Sequence, residues 1–190
     1  MREELLDAAS DLAIELGWNH VTMSKVAAAG GVSRQTVYNE FGTKPRLAAE
    51  LIMRELERFL AVVSDRLLAH TDLAHGMRDA AKAALDHAAD NTFVRAVLSS
   101  VPGEQNELLP LLTTESQDII DGARALVIEI VSSHYDDLPF NDAELATLVD
   151  AVVRLVLSGI TRPSSPSAVF ADEIGWLVQM AIRGAAVPPD

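Results

Sequence analysis

The fold is decided by residues 22–44, which read TMSKVAAAGGVSRQTVYNEFGTK. Thr22 and Ser33 can each cap the start of a short helix, because a hydroxyl oxygen accepts a hydrogen bond from a free backbone N–H there. Two glycines at 30–31 separate these helices, and Gly42 follows the second one. These caps and glycines predict two short helices joined by a tight turn.

The spacing of three small or apolar residues identifies the turn. Ala27 is small where the two helices cross, Gly31 supplies the positive φ of the turn, and Val37 seals the second helix against the first. Each residue type is common by itself. Together, at intervals of four and six residues, they are typical of a helix-turn-helix motif.

Charge is distributed unevenly along the 190 residues, whose net charge is −13. A uniformly acidic protein would repel phosphate. However, residues 22–46 carry four basic side chains and one acidic side chain, a local charge of +3, whereas residues 47–190 carry ten basic and twenty-two acidic ones, a local charge of −12. The motif therefore lies in a small basic region of an acidic chain.

The residues in and around the motif form a longer pattern. They are Gly17, Trp18, Val21, Thr22, Met23, Val26, Ala27, Gly31, Val32, Ser33, Thr36, Val37, Tyr38, Phe41 and Lys44. This pattern resembles the DNA-binding domain of TetR-family (tetracycline-repressor-like) transcriptional regulators over about residues 3–50. Beyond residue 50, the length, the helical pattern and two apolar terminal helices are similar to the family. Gly30, Gln35 and Glu40 depart from its common residues. Because Gln35 and Glu40 change the surface expected to face DNA, the half-site preference of the family cannot be assumed for this chain.

The resemblance implies that the third helix of the chain lies in the major groove of DNA. Base edges present a readable pattern of donors and acceptors there. Arginine suits guanine, and glutamine or asparagine suits adenine. The base-reading candidates, at the exposed start of this helix, are Arg34, Gln35, Thr36 and Asn39.

Four further residues are candidates for contacts with DNA phosphates. Tyr38 and Lys44 resemble the phosphate contacts of the family. Thr22 and Ser33 join them at helix N-termini, where free backbone N–H groups favour an anion. Glu40 is expected to face solvent or to repel phosphate weakly.

Apolar periodicity predicts helices in the rest of the chain. They are expected near 74–90, 92–100, 107–134, 141–161 and 166–184. The predicted fold class is all-α, with about nine helices. A three-helix DNA-binding domain at 1–46 precedes a domain at 47–190 that, by the resemblance, binds a ligand and dimerises.

The two terminal helices are apolar over most of their circumference, which requires burial on two sides. One side can serve the subunit core, and the other can form a four-helix bundle with a second copy. Such a homodimer would place two motifs on palindromic half-sites about 34 Å apart, or a multiple of it. The alternative is that both helices are core helices of a monomer. The interface candidates are Leu145, Leu148, Val149, Val152, Val153, Leu155, Val156, Phe170, Ile174, Leu177 and Val178.

The resemblance also implies a cavity for a small-molecule effector within residues 47–135. A mostly apolar lining favours a hydrophobic effector. Its binding would shift the population of two states and release DNA, and repression is the usual outcome in the family. The lining candidates are Phe59, Val63, Met77, Leu85, Phe93, Leu98, Leu112, Gln117, Ile119 and Ala123.

Other classes of function find little support in the sequence. The chain has no cysteine, and it lacks glycine-rich phosphate loops and the Gly-x-Ser-x-Gly motif, so we expect no enzyme activity, metal or cofactor. No apolar run approaches the roughly 20 residues that cross a membrane, and no signal segment opens the chain. The absence of cysteine fits a reducing, cytoplasmic location, which is the location expected. The alternative function is a helical protein-interaction module, in which the turn serves packing alone.

Overall fold

The computed structural model describes residues 1–98, 108, 110 and 116–186. Nine α-helices have their bounds within these residues, a 3-10 turn spans Trp18–His20, and no strand occurs among them. The expected all-α fold is confirmed. The helices are α1 (Arg2–Leu16), α2 (Met23–Ala29), α3 (Arg34–Phe41), α4 (Lys44–Leu68), α5 (Leu73–Asp90), α6 (Thr92–Leu98), α7 (Gln117–His134), α8 (Asp142–Thr161) and α9 (Ser167–Ala185).

The chain forms two compact units. The first comprises residues 1–56 and 89–116, and the second comprises residues 57–88 and 117–190. Helix α4 therefore contributes to both units, whereas α6 belongs to the first, where it packs against α1. The boundary expected at residue 46 stays a prediction, because it divides the chain by function and the units are defined by packing.

The core of the first unit is built from the apolar faces of α1, α2, α3 and the start of α4. Its fully buried side chains are Leu5, Ala9, Val26, Val37, Phe41, Leu47 and Leu51. Burial of these side chains from four helices fixes the orientation of the short helix α3, which is too short to be stable alone.

Two buried polar side chains connect α4 with its neighbours in the first unit. Arg54 is 8% exposed, and its guanidinium donates to Asp7 Oδ1 on α1 at 2.8 Å. Glu55 is 4% exposed and accepts a hydrogen bond of 2.7 Å from Asn91 Nδ2, just before α6. The Asn91 Oδ1 atom accepts from the backbone N–H of Val94 at 2.9 Å, so one amide caps α6 and also binds α4.

The second unit has a core formed by α5, α7, α8 and α9. The buried residues at its centre are Met77, Ala81, Val131, Val149, Ile174 and Val178. Asn141 and Glu144 form a capping box at the start of α8, where Asn141 Oδ1 accepts from the backbone N–H of Glu144 at 3.0 Å.

Tyr135 anchors the end of α4 in the second unit. Its hydroxyl donates to the carbonyl oxygen of Leu67 at 2.5 Å, and burial raises the pKa of Tyr135 to about 12. A Cβ atom at position 76 would collide with this hydroxyl, so Gly76 is what allows α5 to approach it. The same carbonyl also accepts a hydrogen bond of 3.3 Å from the backbone N–H of His70, so two donors hold the last turn of α4.

Candidate nucleic-acid interface

The two helices of the motif start at the caps that the sequence predicts. Thr22 Oγ1 accepts from the backbone N–H of Lys25 at 3.2 Å, and Ser33 Oγ accepts from that of Thr36 at 3.1 Å. Gly31 has φ +65°, a conformation that side chains disfavour, so this turn depends on glycine. The predicted helix-turn-helix geometry is therefore present in α2, the turn and α3.

Helix α3 has one apolar face and one polar face. Val37 and Phe41 expose 0% and 1% of their surface, so they hold the helix against the first unit. Arg34, Gln35 and Asn39 are exposed. Thr36, the fourth base-reading candidate, is half-buried because its side chain turns back to contact Ser33 Oγ at 2.9 Å. The candidates thus lie on the outward side of α3, as expected.

The exposed face of α3 carries two pairs of side chains, each linking residues four apart. Arg34 Nη2 donates to the Tyr38 hydroxyl at 3.1 Å, and its Cζ lies 5.2 Å from the centroid of the Tyr38 ring. Gln35 Nε2 donates to Asn39 Oδ1 at 2.8 Å. Such pairs orient otherwise flexible side chains on the surface of a helix.

Lys44 is held by an aromatic side chain at the start of α4. Its Nζ lies 5.0 Å from the centroid of the Trp18 ring, and Trp18 itself is buried. A cation over an indole face is attracted by the ring quadrupole. The 3-10 turn therefore fixes the position of one predicted phosphate contact.

Glu40 is placed differently from the expectation. Its carboxylate forms an ion pair with Arg2 on α1, in which Arg2 Nη1 donates to Glu40 Oε1 at 2.6 Å. Arg2 Nη2 also lies 2.7 Å from Glu50 Oε1, and the hydrogen bonds to Glu40 and Glu50 raise the pKa of Arg2. Sequence reasoning missed Arg2 because it lies 38 positions before Glu40, and no local pattern joins the two.

Family models match both parts of the chain. The model described as bacterial regulatory proteins, tetR family, matches residues 5–51, and the bacterial tetracyclin repressor C-terminal domain matches residues 72–180. The second match alone covers more than half of the chain. This protein belongs to the TetR family. It is a DNA-binding transcriptional regulator, as the resemblance of its motif implied, and the matched relatives are regulators and not enzymes.

Individual relatives agree with this membership. The HTH-type transcriptional regulator AlkX of Mycobacterium tuberculosis is 31% identical over 179 residues, 94% of this chain and 83% of that protein. A solved TetR-family repressor AlkX from Dietzia sp. strain DQ12-45-1b, implicated in biodegradation of n-alkanes, aligns with a TM-score of 0.78 and 23% identity over 96% of this chain and 97% of that one. The fatty acid degradation regulator FadR from Bacillus halodurans aligns at 0.55 and 16% identity, over 98% and 97% of the two chains.

The TetR-family protein buries part of its predicted dimer interface inside its own second unit. Val149 and Val178 expose 0% and Ile174 exposes 1%, so these side chains have no surface left for a partner. Their expected role is corrected: they belong to the subunit core. Leu145 and Val152 are also buried, and Leu148, Val153, Val156 and Phe170 are partly buried against the same core.

The outward sides of α8 and α9 carry other apolar side chains. Leu155 and Leu177, both interface candidates, are 39% and 40% exposed. Val169 and Trp176 were not among the candidates and are 48% and 62% exposed. When a helix is apolar on both sides, periodicity does not show which side is buried within the subunit. The predicted interface therefore included both core residues, such as Val149, and exposed residues, such as Leu155.

The predicted effector-lining residues fall in both units. Met77 and Leu85 are buried in the second unit, where Phe59, Val63, Ile119 and Ala123 are half-buried. Phe93 and Leu98 belong to the first unit, and Leu112 lies outside the described residues. Gln117 is corrected: it is exposed and donates to Asp121 on its own helix at 2.9 Å, so it is not an inward polar group.

Two absences among the described residues bear on other functions. Among residues 1–98 and 116–186, no three His, Asp or Glu side chains come together as a metal site would require. In the same part of the chain, no helix combines the length and apolarity needed to cross a bilayer.

Neutralisation of Glu40 by Arg2 predicts a conditional effect on DNA binding. Arg2→Ala exposes an unpaired carboxylate beside the end of α3, so DNA affinity should fall by about two- to fivefold. In a Glu40→Gln background, the same change should have a much smaller effect. Fluorescence anisotropy with labelled duplex DNA measures both values.

The control for this experiment is Arg162→Ala, which removes an exposed positive charge from the second unit. It should leave the affinity nearly unchanged. If Arg2→Ala weakens binding equally in the two backgrounds, the loss of affinity does not come from Glu40, and the account of Glu40 is contradicted.

Proposed function

We propose that this TetR-family regulator is a dimeric, effector-controlled repressor that reads palindromic operator DNA with α3. The observation that carries the proposal is the polarity of this helix: Val37 and Phe41 are buried, whereas Arg34, Gln35 and Asn39 point outward. These side chains supply the donors and acceptors that base edges in the major groove require, with Thr36 beside them. A repressor of this kind acts in the cytoplasm, where its DNA lies.

Phosphate contacts would fix the register of α3 on the duplex without adding sequence information. We assign them to Tyr38, Lys44, Thr22 and Ser33. Support comes from Tyr38 and Thr22 being exposed and from Trp18, which holds the Lys44 ammonium.

Replacement of Lys44 by alanine tests this assignment through its salt dependence. Each phosphate contact contributes about 0.9 to the slope of log affinity against log salt, so a dimer lacking two lysine contacts should lose about 1.8. The loss of affinity should be similar for operator and unrelated DNA. An unchanged slope would contradict the assignment, and an unchanged affinity would favour the alternative of an interaction module. Arg162→Ala again serves as the charge-matched control.

Dimerisation is proposed through the outward sides of α8 and α9. Four large apolar side chains expose between 39% and 62% of their surface there, namely Trp176, Val169, Leu177 and Leu155. Exposed apolar surface on the last two helices is what a four-helix bundle between two copies would cover. The residues first expected at this interface but buried in the subunit are not part of the proposal.

Two substitutions separate the interface from the core. Trp176→Glu should convert the dimer to a folded monomer, because it places a charge on exposed surface, and operator affinity should fall by about tenfold or more since one motif is lost. Val152→Glu should instead unfold the chain, because it buries an unpaired charge. Sedimentation velocity and circular dichroism distinguish these results. A stable Trp176→Glu dimer would place the interface elsewhere.

The effector is proposed to be a compound with an aliphatic chain. In the second unit, Phe59, Val63, Met77, Leu85 and Ile119 offer apolar surface to such a chain. The Dietzia relative is implicated in biodegradation of n-alkanes, and the Bacillus one is a fatty acid degradation regulator. Both processes concern aliphatic chains, which supports an aliphatic effector for this protein. Binding would release DNA by favouring the state with lower operator affinity.

Anisotropy titrations with and without added ligand test this class. Dodecane or dodecanoic acid should lower operator affinity by about tenfold, within the usual range of allosteric coupling, while phenol should not. An aliphatic compound that increases affinity would contradict release. No response to either aliphatic compound, in affinity or in melting temperature, would contradict the ligand class.

A further inference from the structure

The side-chain amides of Gln35 and Asn39 form one hydrogen-bonded unit on the exposed face of α3. Gln35 Nε2 donates to Asn39 Oδ1 at 2.8 Å, and both side chains are exposed. In this hydrogen bond Gln35 is the donor and Asn39 is the acceptor. The bond therefore uses the side-chain oxygen of Asn39 and leaves Oε1 of Gln35 available.

The direction of this bond determines what each amide can still offer. A primary amide has two N–H donors and one carbonyl oxygen. After one N–H is given to Asn39, Gln35 retains the second N–H and its oxygen. In the major groove adenine presents an N6 amino donor beside the N7 acceptor, so the remaining groups of Gln35 complement adenine.

We propose that Gln35 and Asn39 read a single adenine of each half-site together, with Gln35 on the base and Asn39 as a positioning residue. This inference rests on the proposed placement of α3 in the major groove. It differs from the earlier expectation that Gln35 and Asn39 each contact a base independently. A free glutamine loses much rotamer freedom when it makes a bidentate contact. Asn39 restricts Gln35 before DNA arrives, which makes the contact more favourable.

The neighbouring pair on α3 supports this division of roles. Arg34 donates to the Tyr38 hydroxyl with the same spacing of four residues and the same direction along the helix. In both pairs the residue in the first turn, nearest the bases, is the donor, and its partner lies one turn further along. The second-turn residues are therefore placed to hold the first-turn residues.

The experiment uses the full-length protein and an operator obtained by selection from random duplexes. The operator position read by Gln35 is the one at which Gln35→Ala no longer discriminates among the four bases. The proposal requires the preferred base at this position to be adenine. Wild-type protein should prefer adenine there by about tenfold or more over the other bases in one half-site. Asn39→Ala should reduce this preference at least threefold, and its effect should disappear in a Gln35→Ala background.

Asn39→Asp separates positioning from direct reading. A carboxylate still accepts from Gln35 Nε2 but cannot donate to a base, so the adenine preference should remain within twofold of wild type while total affinity falls. Gln35→Glu should move the preference from adenine to cytosine, because the N4 amino group of cytosine donates a hydrogen bond to a carboxylate. Ser24→Ala, an exposed change on α2, should alter neither quantity.

Each contrary outcome is distinct. If Asn39→Asp loses the preference as Asn39→Ala does, Asn39 reads DNA with its own N–H groups, and the proposal is overturned. Retention of the preference by Asn39→Ala, or a base other than adenine at the Gln35 position, overturns it as well. Absence of sequence-selective binding by the wild-type protein would instead overturn the proposed function, before any variant is compared.

Discussion

The burial of Val37 and Phe41 is the constraint on which the rest of the interface depends. An eight-residue helix has little stability of its own, so its orientation comes from the side chains it places in the core. With these two residues buried and Gly31 forming the turn, the opposite side of α3 faces solvent. Arg34, Gln35 and Asn39 are exposed because of this packing.

An acidic protein binds DNA through local organisation of its charge. The motif has a small excess of basic residues, and its one acid, Glu40, is paired with Arg2. Trp18 holds Lys44 in place. The net charge of −13 therefore says little about the surface that approaches DNA, although it weakens nonspecific attraction to the rest of the molecule.

The sequence predicted the parts of the structure that local rules determine. The caps at Thr22 and Ser33 follow from a side-chain oxygen lying close to free backbone N–H groups. The inward side of α3 follows from helical periodicity, and Gly31 follows from the backbone geometry of a turn.

Contacts between distant parts of the chain were beyond these rules. The Arg2–Glu40 pair and the Tyr135–Leu67 bond join residues 38 and 68 positions apart. Burial in the terminal helices was also not predictable from local rules. Both sides of these helices are apolar, so periodicity could not distinguish Val149, which lies in the core, from Trp176, which is exposed. The pairing of Gln35 with Asn39 is compatible with their spacing, but the direction of the hydrogen bond became visible only in the structure.

The lack of cysteine allows one direct measurement of where α3 lies on DNA. A single cysteine introduced as Thr43→Cys, at an exposed position just after α3, and labelled with an iron chelate should cleave the operator at two symmetric places, separated by about 34 Å or a multiple of it. The same label at Arg162→Cys should not cleave. Cleavage from Arg162→Cys with none from Thr43→Cys would contradict the account that α3 enters the major groove.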